Sequence, residues 1–563
     1  MQNIIKVKDL PYERYDVKNL EKAVETFESV AATAKNAQQV YDSYQLIIEE
    51  KERFETASSL CYTRYTLNTR DEFYLKEQEY YDELGPVAVN LVNRTSDVLL
   101  KSRFRDELEE MFPVTFFKNL ECDTKSHSKD TVTDEQEENA LVTEYSQLMS
   151  QIAVDWNGEK KPISYVRGFM ENSDRNVRKS ACEAIGKALE ANSNQLDDIY
   201  DRLVKVRHRI AKKLGYDNFV QLGYYRMGRI DYDEEDVKRF RKNVLDDIVP
   251  VVKELKRKIA KELGIVDFKF YDDFVIDREM PRPFVRGNEI LVAAQQMYHE
   301  MNKDIGAFMD RMLAAEAFDV ESRDGKWGGG YTTSFDTFKQ PFILANFNGS
   351  SGDVDVVTHE FGHAVAFDYY LRRKDHSVSI GSSETAETHS MSMEFLCWRF
   401  MNKFFKSPDD YKYKHLADAL SFIPYGVIVD EFQHIVYENP DMTPEQRNSV
   451  YLELEKRYRP YLSYEGIPYL DKGTRWQFQM HIYEMPFYYI DYCLAQVIAL
   501  EFLVLSRKDY DKALSTYVEH VKRGGMYPFN MLVKMAGLNS PFGKGALREI
   551  AAESEKILTE VHK

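Results

Sequence analysis

The sequence is poor in cysteine and has no excess of positive charge. Its five cysteines are scattered along 563 residues, are odd in number and include no C-x-x-C pair. This usage is typical of reduced, mostly buried thiols in a cytoplasmic protein. The formal net charge of −18 argues against nucleic acid or an anionic membrane surface as a partner.

Long apolar runs are also missing. Residues 1–16 contain no apolar core of signal-peptide length. The longest nearly apolar run, residues 493–505, is too short for a membrane span and contains Glu501. Hydrophobic residues make up 43% of the chain and charged residues 30%, as in ordinary soluble proteins. We therefore expect a cytoplasmic protein of two or more subdomains with no membrane partner.

Proline is absent from two long stretches, residues 16–84 and 163–249, and both patterns predict helices. The first group of helices is predicted to end at Gly85-Pro86, and more helix follows to residue 111. Residues 123–138 are polar and charged, so we expect a loop there.

One region has the pattern of β-structure. Residues 331–335 and 342–347 are predicted strands that follow a glycine-rich turn. They lie just before the motif described next, and their edge could pair with the main chain of a bound peptide. The residues expected to bind substrate are Gly329, Gly330, Tyr331, Ala345 and Asn346. A hairpin that only braces the following helix fits the sequence about as well.

The five residues His359-Glu360-Phe361-Gly362-His363 form an H-E-x-x-H motif. On a helix, residues four apart share a face, so His359 and His363 would direct two imidazoles to one point. Glu360 lies beside the first histidine, where its carboxylate can act as a general base without binding the metal. The alternative is a buried helix whose histidines only form hydrogen bonds.

The surroundings of the motif predict a helix. Apolar residues recur at helical spacing, and Ser350, Ser351 and Asp353 are possible N-caps. Gly362 inside a helix costs about 1 kcal/mol relative to alanine. The close approach of another element would explain a glycine at this position.

A catalytic zinc needs a third protein ligand. The pattern H-E-x-x-H-x-x-G-x-x-H fails, since Ala366 and Tyr369 occupy its last two positions. The downstream candidates are His376, Glu384, Glu387, His389 and Glu394. Residues 384–405 predict a buried helix, where an ionised carboxylate needs a metal or a counter-charge, which favours Glu384 or Glu387. Spacing does not choose between these two.

Residues 387–394, E-T-H-S-M-S-M-E, resemble the Glu-x-x-Ser-x-x-x-Glu helix of the thimet oligopeptidase and oligoendopeptidase F family of zinc metallopeptidases. Residues 174–178, 325–331, 341–349 and 481–489 resemble further segments of that family. The chain length is similar to that of its shorter, Pz-peptidase-like members. The resemblance extends from residue 163 to the C-terminus.

The resemblance implies one zinc ion per chain with Glu387 as the third ligand, beside His359 and His363. Glu394 would form a hydrogen bond to one of the metal ligands without binding the metal itself. Asp355, one turn before His359, is a weaker candidate for that role. Donors to the oxyanion of the reaction would come from the C-terminal segment. His481, Tyr488 and Tyr492 are expected there, with Tyr489 as an alternative to Tyr488. Core packing of these aromatic residues is the competing interpretation.

The implied fold is mainly α: two helical halves flank a deep substrate channel, and a single small β-sheet lies next to the H-E-x-x-H helix. We expect an N-terminal helical subdomain at residues 1–162 and a peptidase region at 163–563. The catalytic helices would lie at 350–405 and the C-terminal catalytic segment at 475–500. The implied function is a cytoplasmic zinc endopeptidase that cuts oligopeptides, and no oligomeric state is predicted. The alternatives are a carboxypeptidase or dipeptidyl carboxypeptidase of the same architecture, and a non-catalytic peptide-binding protein.

Overall fold

The computed structural model describes residues 4–277 and 279–562, which are mainly helical. The N-terminal helices are α1 (Lys18–Thr33), α2 (Ala37–Leu67), α3 (Glu72–Leu100), α4 (Arg105–Met111), α5 (Val114–Ser126) and α6 (Val132–Gln151). Next come α7 (Ile163–Arg167), α8 (Arg175–Glu190), α9 (Ser193–Lys213), α10 (Phe219–Arg226), α11 (Glu234–Asn243), α12 (Val249–Leu263), α13 (Asn288–Met301) and α14 (Lys303–Ala314). The remaining helices are α15 (Gly352–Leu371), α16 (Ser383–Leu396), α17 (Pro408–Glu438), α18 (Pro444–Tyr458), α19 (Met480–Glu484), α20 (Tyr489–Lys508), α21 (Tyr510–Arg523), α22 (Phe529–Met535) and α23 (Arg548–Val561). The predicted mainly α class is confirmed.

The chain forms two compact units, each assembled from segments distant in sequence. The first contains the residues up to Thr124, Pro281–Tyr411 and Ile498–Leu538. The second contains Lys125–Met280, Lys412–Val497 and the residues from Asn539 onward. The boundary at residues 162 and 163 stays a prediction.

The sheet of the first unit has three strands, β3 (Phe318–Glu321), β4 (Tyr331–Phe335) and β5 (Gln340–Phe347), in the order β3-β5-β4. β4 pairs antiparallel with β5, Tyr331 opposite Leu344, and β3 pairs parallel with β5. The two predicted strands are confirmed. β3 was not predicted, because its four residues alternate apolar and acidic side chains without a longer pattern. β4 and β5 both pack against α15.

A second sheet lies in the second unit, so the expectation of a single small sheet was wrong. β1 (Ala153–Trp156) and β2 (Glu159–Pro162) form an antiparallel hairpin. Asn157 and Gly158 at its turn both have positive φ, as a two-residue hairpin loop requires.

The predicted loop at residues 123–138 was also wrong, because α5 continues to Ser126 and α6 begins at Val132. The charges that suggested a loop are paired across helices instead. Asp134 accepts a hydrogen bond from Arg209 of α9 at 2.8 Å, and Glu138 accepts one from Arg207 at 2.6 Å. Their local pattern is that of an exposed segment, although both carboxylates are buried by tertiary packing.

The helix end predicted at Gly85-Pro86 does not occur, since α3 continues through both residues. Residues Tyr81, Leu84, Ala88 and Leu99 of α3 are buried in a core shared with α1 and α2. Packing of this apolar face outweighs the cost of an interior proline.

Helix α20 is long and apolar enough to cross a membrane by length and composition, with a mean hydropathy of 1.5 in its most apolar window. That window is 72% buried inside the protein. A buried core helix of a soluble protein passes the same test. All five cysteines, including Cys493 of this helix, are buried thiols.

Candidate metal centre

The centre is built on two helices of the first unit, α15 and α16, that pack closely together. A Cβ atom on Gly362 of α15 would lie 2.7 Å from Cα of Ser390 and 2.8 Å from the carbonyl oxygen of His389, both in α16. Only a glycine permits this separation of the two backbones. The close approach predicted for Gly362 is confirmed.

The turn that leads into α15 is held by Asp353. Its carboxylate accepts the backbone N–H groups of Asn348 and Gly349 at 2.9 and 2.8 Å. Ser351 occupies the N-cap position without a side-chain cap bond. Of the possible caps in the sequence, Asp353 therefore closes the turn that follows β5.

His359 and His363 of α15 meet Glu387 of α16. Oε2 of Glu387 lies 3.3 Å from Nε2 of His359 and 3.6 Å from Nε2 of His363. One ligand atom from each of the three residues lies within 4.8 Å of the other two. Two imidazole nitrogens and one carboxylate oxygen, converging from two rigid helices, are a donor set that fits zinc.

Glu394, two turns after Glu387 in α16, holds the imidazole of His359 on the side away from Glu387. Nδ1 of His359 lies 2.7 Å from Oε1 of Glu394. This bond directs Nε2 toward Glu387, which is the arrangement of a metal-binding histidine supported by a carboxylate.

The charge of His359 and the charges of Glu387 and Glu394 strongly affect one another. Burial disfavours the charged forms of both His359 and Glu387, but their mutual attraction prevails. The pKa of His359 is raised well above its usual value by Glu387 and Glu394. The pKa of Glu387 is lowered by the two histidines. The pocket between them thus stabilises a positive charge.

The other candidates for the third ligand have different surroundings. Glu384 accepts a hydrogen bond from the Ser382 hydroxyl at 2.9 Å. The ring of His376 contacts the carboxylate of Glu52. His389 is fully buried, and its ring packs against that of His520, 5.3 Å away.

Glu360 points toward the sheet, where Thr332 of β4 binds it. The Thr332 hydroxyl lies 2.7 Å from Oε2 of Glu360 and 2.9 Å from its backbone carbonyl oxygen. Gly330 also lies close, since a Cβ atom there would be 3.9 Å from Oε1 of Glu360. β4 therefore supports the residue next to the first histidine. Asp355, one turn earlier on α15, accepts a hydrogen bond from the Tyr411 hydroxyl at 2.5 Å.

Of the residues expected to bind substrate, Gly329 and Gly330 lie in the glycine-rich turn before β4, and the other three lie in two strands. Tyr331 begins the edge strand β4, whereas Ala345 and Asn346 belong to the central strand β5. The Asn346 side-chain amide donates to the carbonyl oxygens of Trp327 and Gly329 at 2.9 and 2.7 Å. Asn346 thus holds the glycine-rich turn in place.

The predicted C-terminal donors form an aromatic cluster in the second unit. The ring centroid of His481 lies 5.6 Å from that of Tyr488, 5.0 Å from that of Tyr489 and 6.1 Å from that of Tyr492. All four side chains are partly exposed. The structure brings all four together, so contact alone does not select among the three tyrosines.

A strained residue shapes this cluster. Phe487 has φ = +67°, a conformation that costs a bulky residue about 1–3 kcal/mol. Its N–H donates to the Gln433 side chain at 3.0 Å, and its carbonyl oxygen accepts from Arg229. The ring of Phe487 is fully buried. These contacts hold the turn that precedes Tyr488 and Tyr489.

Thr332, Gln433 and Phe487 were not identified from the sequence. Their motif neighbours were recognised, but nothing in a single sequence indicates which distant hydroxyl or amide reaches a motif residue. The positive φ of Phe487 has no residue-type signal either, since glycine or asparagine would be expected there.

A mainly helical protein in which an H-E-x-x-H helix faces a carboxylate-bearing helix has the architecture of a metallopeptidase. The chain belongs to Peptidase family M3: that family's model matches residues 168–552, and the Peptidase M3 N-terminal domain matches residues 7–127.

Known relatives agree with this assignment. The chain is similar to Oligopeptidase PepF of Bacillus subtilis (strain 168), with 21% identity over 556 residues covering 90% of this chain and 78% of the relative. Among solved structures, PZ peptidase A with an inhibitor has a TM-score of 0.92 and 39% identity, covering 99% of this chain and 100% of that one. A putative oligoendopeptidase F from Bacillus anthracis str. Ames has a TM-score of 0.87 and 37% identity over 99% of both chains. The expected family and enzyme class are confirmed.

Proposed function

We propose that the protein is a cytoplasmic zinc-dependent endopeptidase that hydrolyses internal bonds of short oligopeptides. The convergence of His359, His363 and Glu387 within 4.8 Å, with Glu360 on the same helix, is the observation that carries the proposal. Family membership and the similarity to oligoendopeptidases support peptide substrates.

His359, His363 and Glu387 would hold one zinc ion, and Glu394 would keep the His359 ring oriented. When bound, zinc supplies Lewis acidity that lowers the pKa of water and polarises a carbonyl group. Glu360 would take a proton from the attacking water and deliver it to the leaving amine. The Thr332 hydroxyl supports this role, because it restrains the Glu360 carboxylate.

The oxyanion that forms during the attack needs hydrogen-bond donors. We assign this task to His481 together with Tyr488, with Tyr489 and Tyr492 as alternatives to that tyrosine. Removing one such donor typically lowers the rate about 10²–10³-fold. The clustering of the four rings supports a shared role.

The position of β4 at the edge of the sheet supports an endopeptidase, because main-chain pairing recognises a peptide without requiring a free terminus. Tyr331 at its start, together with Gly329 and Gly330, would bind the peptide backbone. A carboxypeptidase would instead need a cation placed for the substrate's terminal carboxylate. We propose that the protein acts on short, unfolded peptides, in line with its similarity to oligopeptidases.

Metal analysis combined with digestion of peptides blocked at both ends tests this function. We expect about one zinc per chain and internal cleavage of a blocked peptide. Cleavage only of peptides with a free C-terminus would favour the carboxypeptidase. A fully metal-loaded protein that cleaves neither kind of peptide would contradict any peptidase function.

The variant Glu360→Gln tests the general base. It should abolish hydrolysis while leaving the zinc content nearly unchanged, since Glu360 is not among the three converging ligands. Wild-type turnover in this variant would remove Glu360 from its proposed role.

A further inference from the structure

The side chain of Gln479 connects Tyr425 of α17 with His481 of α19, all within the second unit. The Tyr425 hydroxyl donates to Oε1 of Gln479 at 2.6 Å. Nε2 of Gln479 lies 2.7 Å from Nδ1 of His481. Both bonds are short, and the three side chains form one continuous chain of hydrogen bonds.

These two hydrogen bonds determine which ring nitrogen of His481 carries the proton. Because the amide oxygen of Gln479 faces Tyr425, its NH₂ group faces the imidazole. An NH₂ group only donates, so Nδ1 of His481 must accept. Burial lowers the pKa of His481, which favours the neutral ring. A neutral ring that accepts at Nδ1 carries its single proton on Nε2.

Tyr425 is itself held in place. The guanidinium of Arg475 lies 3.9 Å from the centre of its ring. Arg475 in turn forms a 2.9 Å ion pair with Glu455, which is only 2% exposed. The Tyr425 hydroxyl, which donates to Oε1 of Gln479, is therefore held in place by an arginine whose counter-charge is buried.

We propose that Gln479, oriented by Tyr425, is a positioning residue that fixes His481 in the Nε2–H tautomer. His481 then presents an N–H donor to the carbonyl oxygen of the peptide bond that is cut. This inference rests on the proposed function, in which His481 stabilises the oxyanion. The opposite tautomer would present a lone pair to the same oxygen and repel it.

The titratable and charged groups around His481 bear on how its protonation is measured. Its ring contacts three tyrosines, and it lines a cavity of about 570 Å³ with three charged side chains. These groups are Tyr488, Tyr489, Tyr492, Arg167, Arg475 and Glu484. Glu484 accepts a hydrogen bond from Ser146 at 2.6 Å. Phenol hydroxyls and guanidinium groups in general titrate well above neutral pH.

The direct test is ¹⁵N NMR of histidine-labelled protein, with the His481 signals assigned from the spectrum of the His481→Gln variant. We expect Nε2 of His481 to carry the proton near neutral pH and Nδ1 to have a lone pair. A signal from Nδ1–H would overturn the inference. This readout requires neither substrate nor activity.

The variant Gln479→Glu reverses the bond with nearly the same shape. A carboxylate only accepts, so Nδ1 must carry a proton, and the neutral ring has a bare Nε2. At pH 8 we expect kcat to fall about 10²-fold, the usual loss for one oxyanion donor, with a much smaller change in KM. The new carboxylate also raises the pKa of His481. As the pH is lowered, the imidazolium with both N–H groups forms, and kcat should partly recover, unlike that of the wild type.

Two further variants complete the test. Met480→Glu places the same charge on the neighbouring residue, whose side chain is 49% exposed, and should show no such recovery at low pH. Tyr425→Phe frees the amide to turn and should give a mixture of tautomers with an intermediate kcat.

A Gln479→Glu variant with wild-type kcat and pH profile would overturn the inference. A wild-type protein with the Nε2–H tautomer that cleaves no peptide would instead contradict the proposed function.

Discussion

The hydroxyl of Thr332 lies 2.7 Å from Oε2 of Glu360, and this bond ties the edge strand β4 to the H-E-x-x-H helix. A short strand ahead of the motif thus does more than brace the helix. It restrains the carboxylate that the proposed mechanism uses to move a proton.

Replacing Thr332 with valine keeps the side-chain shape and removes this donor. A hydrogen bond to a charged group contributes about 1.5–3 kcal/mol, and about 1.4 kcal/mol corresponds to a tenfold change in rate. We expect kcat to fall about tenfold or more, with KM and zinc content nearly unchanged. Steady-state kinetics would measure this. The Thr332→Ser variant retains the hydroxyl and should recover most of the loss, whereas equal losses in both variants would indicate a packing effect.

Replacing Gly362 with alanine should separate the two ligand-bearing helices. Its methyl group would lie 2.7 Å from Cα of Ser390, and overpacking of this kind costs about 1–3 kcal/mol. We expect a lower thermal midpoint and weaker zinc binding. Gly168 provides a control, because its backbone is helical (φ −57°, ψ −23°) and a methyl group added there meets no other part of the protein within 4 Å, its chain neighbours aside. Gly168→Ala should be neutral or stabilising, and similar midpoints for the two variants would refute the close-contact explanation.

Glu394→Gln should weaken zinc binding without removing a ligand. Its carboxylate supports Nδ1 of His359 at 2.7 Å, and loss of such a partner typically costs 10–100-fold in metal affinity. Competition with a chelator would measure the zinc dissociation constant. Glu384→Gln, the same change on the same helix, serves as the control because Glu384 contacts Ser382. An equal effect of the two variants would argue against a specific role for Glu394.

Zinc binding should release protons at neutral pH. Burial opposes protonation of His359, but Glu387 and Glu394 raise its pKa well above its usual value, so we expect a protonated ring in the metal-free protein at pH 7. His359 must lose this proton before Nε2 can bind a metal. We expect about one proton released per zinc, and an affinity that falls as the pH is lowered. Calorimetry in buffers of different ionisation enthalpy would detect the release, and a heat independent of the buffer would contradict it.

The apolar periodicity around the H-E-x-x-H motif predicted the helix that carries His359, Glu360 and His363. Local sequence also predicted β4 and β5, because both strands combine β-branched or aromatic residues with a glycine-rich turn. It failed at residues 123–138, where charges that normally mark a loop are buried by partners in α9. It failed again at Pro86, where packing against α1 and α2 keeps the helix intact.

The sequence by itself determined the mainly helical class, the motif helix and the need for a further ligand, because helical periodicity and ligand chemistry act over a few neighbouring residues. Spacing left Glu384 and Glu387 open and the family resemblance favoured Glu387, whereas the tertiary structure shows that Glu387 meets the two histidines. Only the tertiary structure brought Thr332 to Glu360, and Tyr425 through Gln479 to His481. Such contacts depend on how distant helices and strands pack, and no spacing along the chain encodes a distance between them.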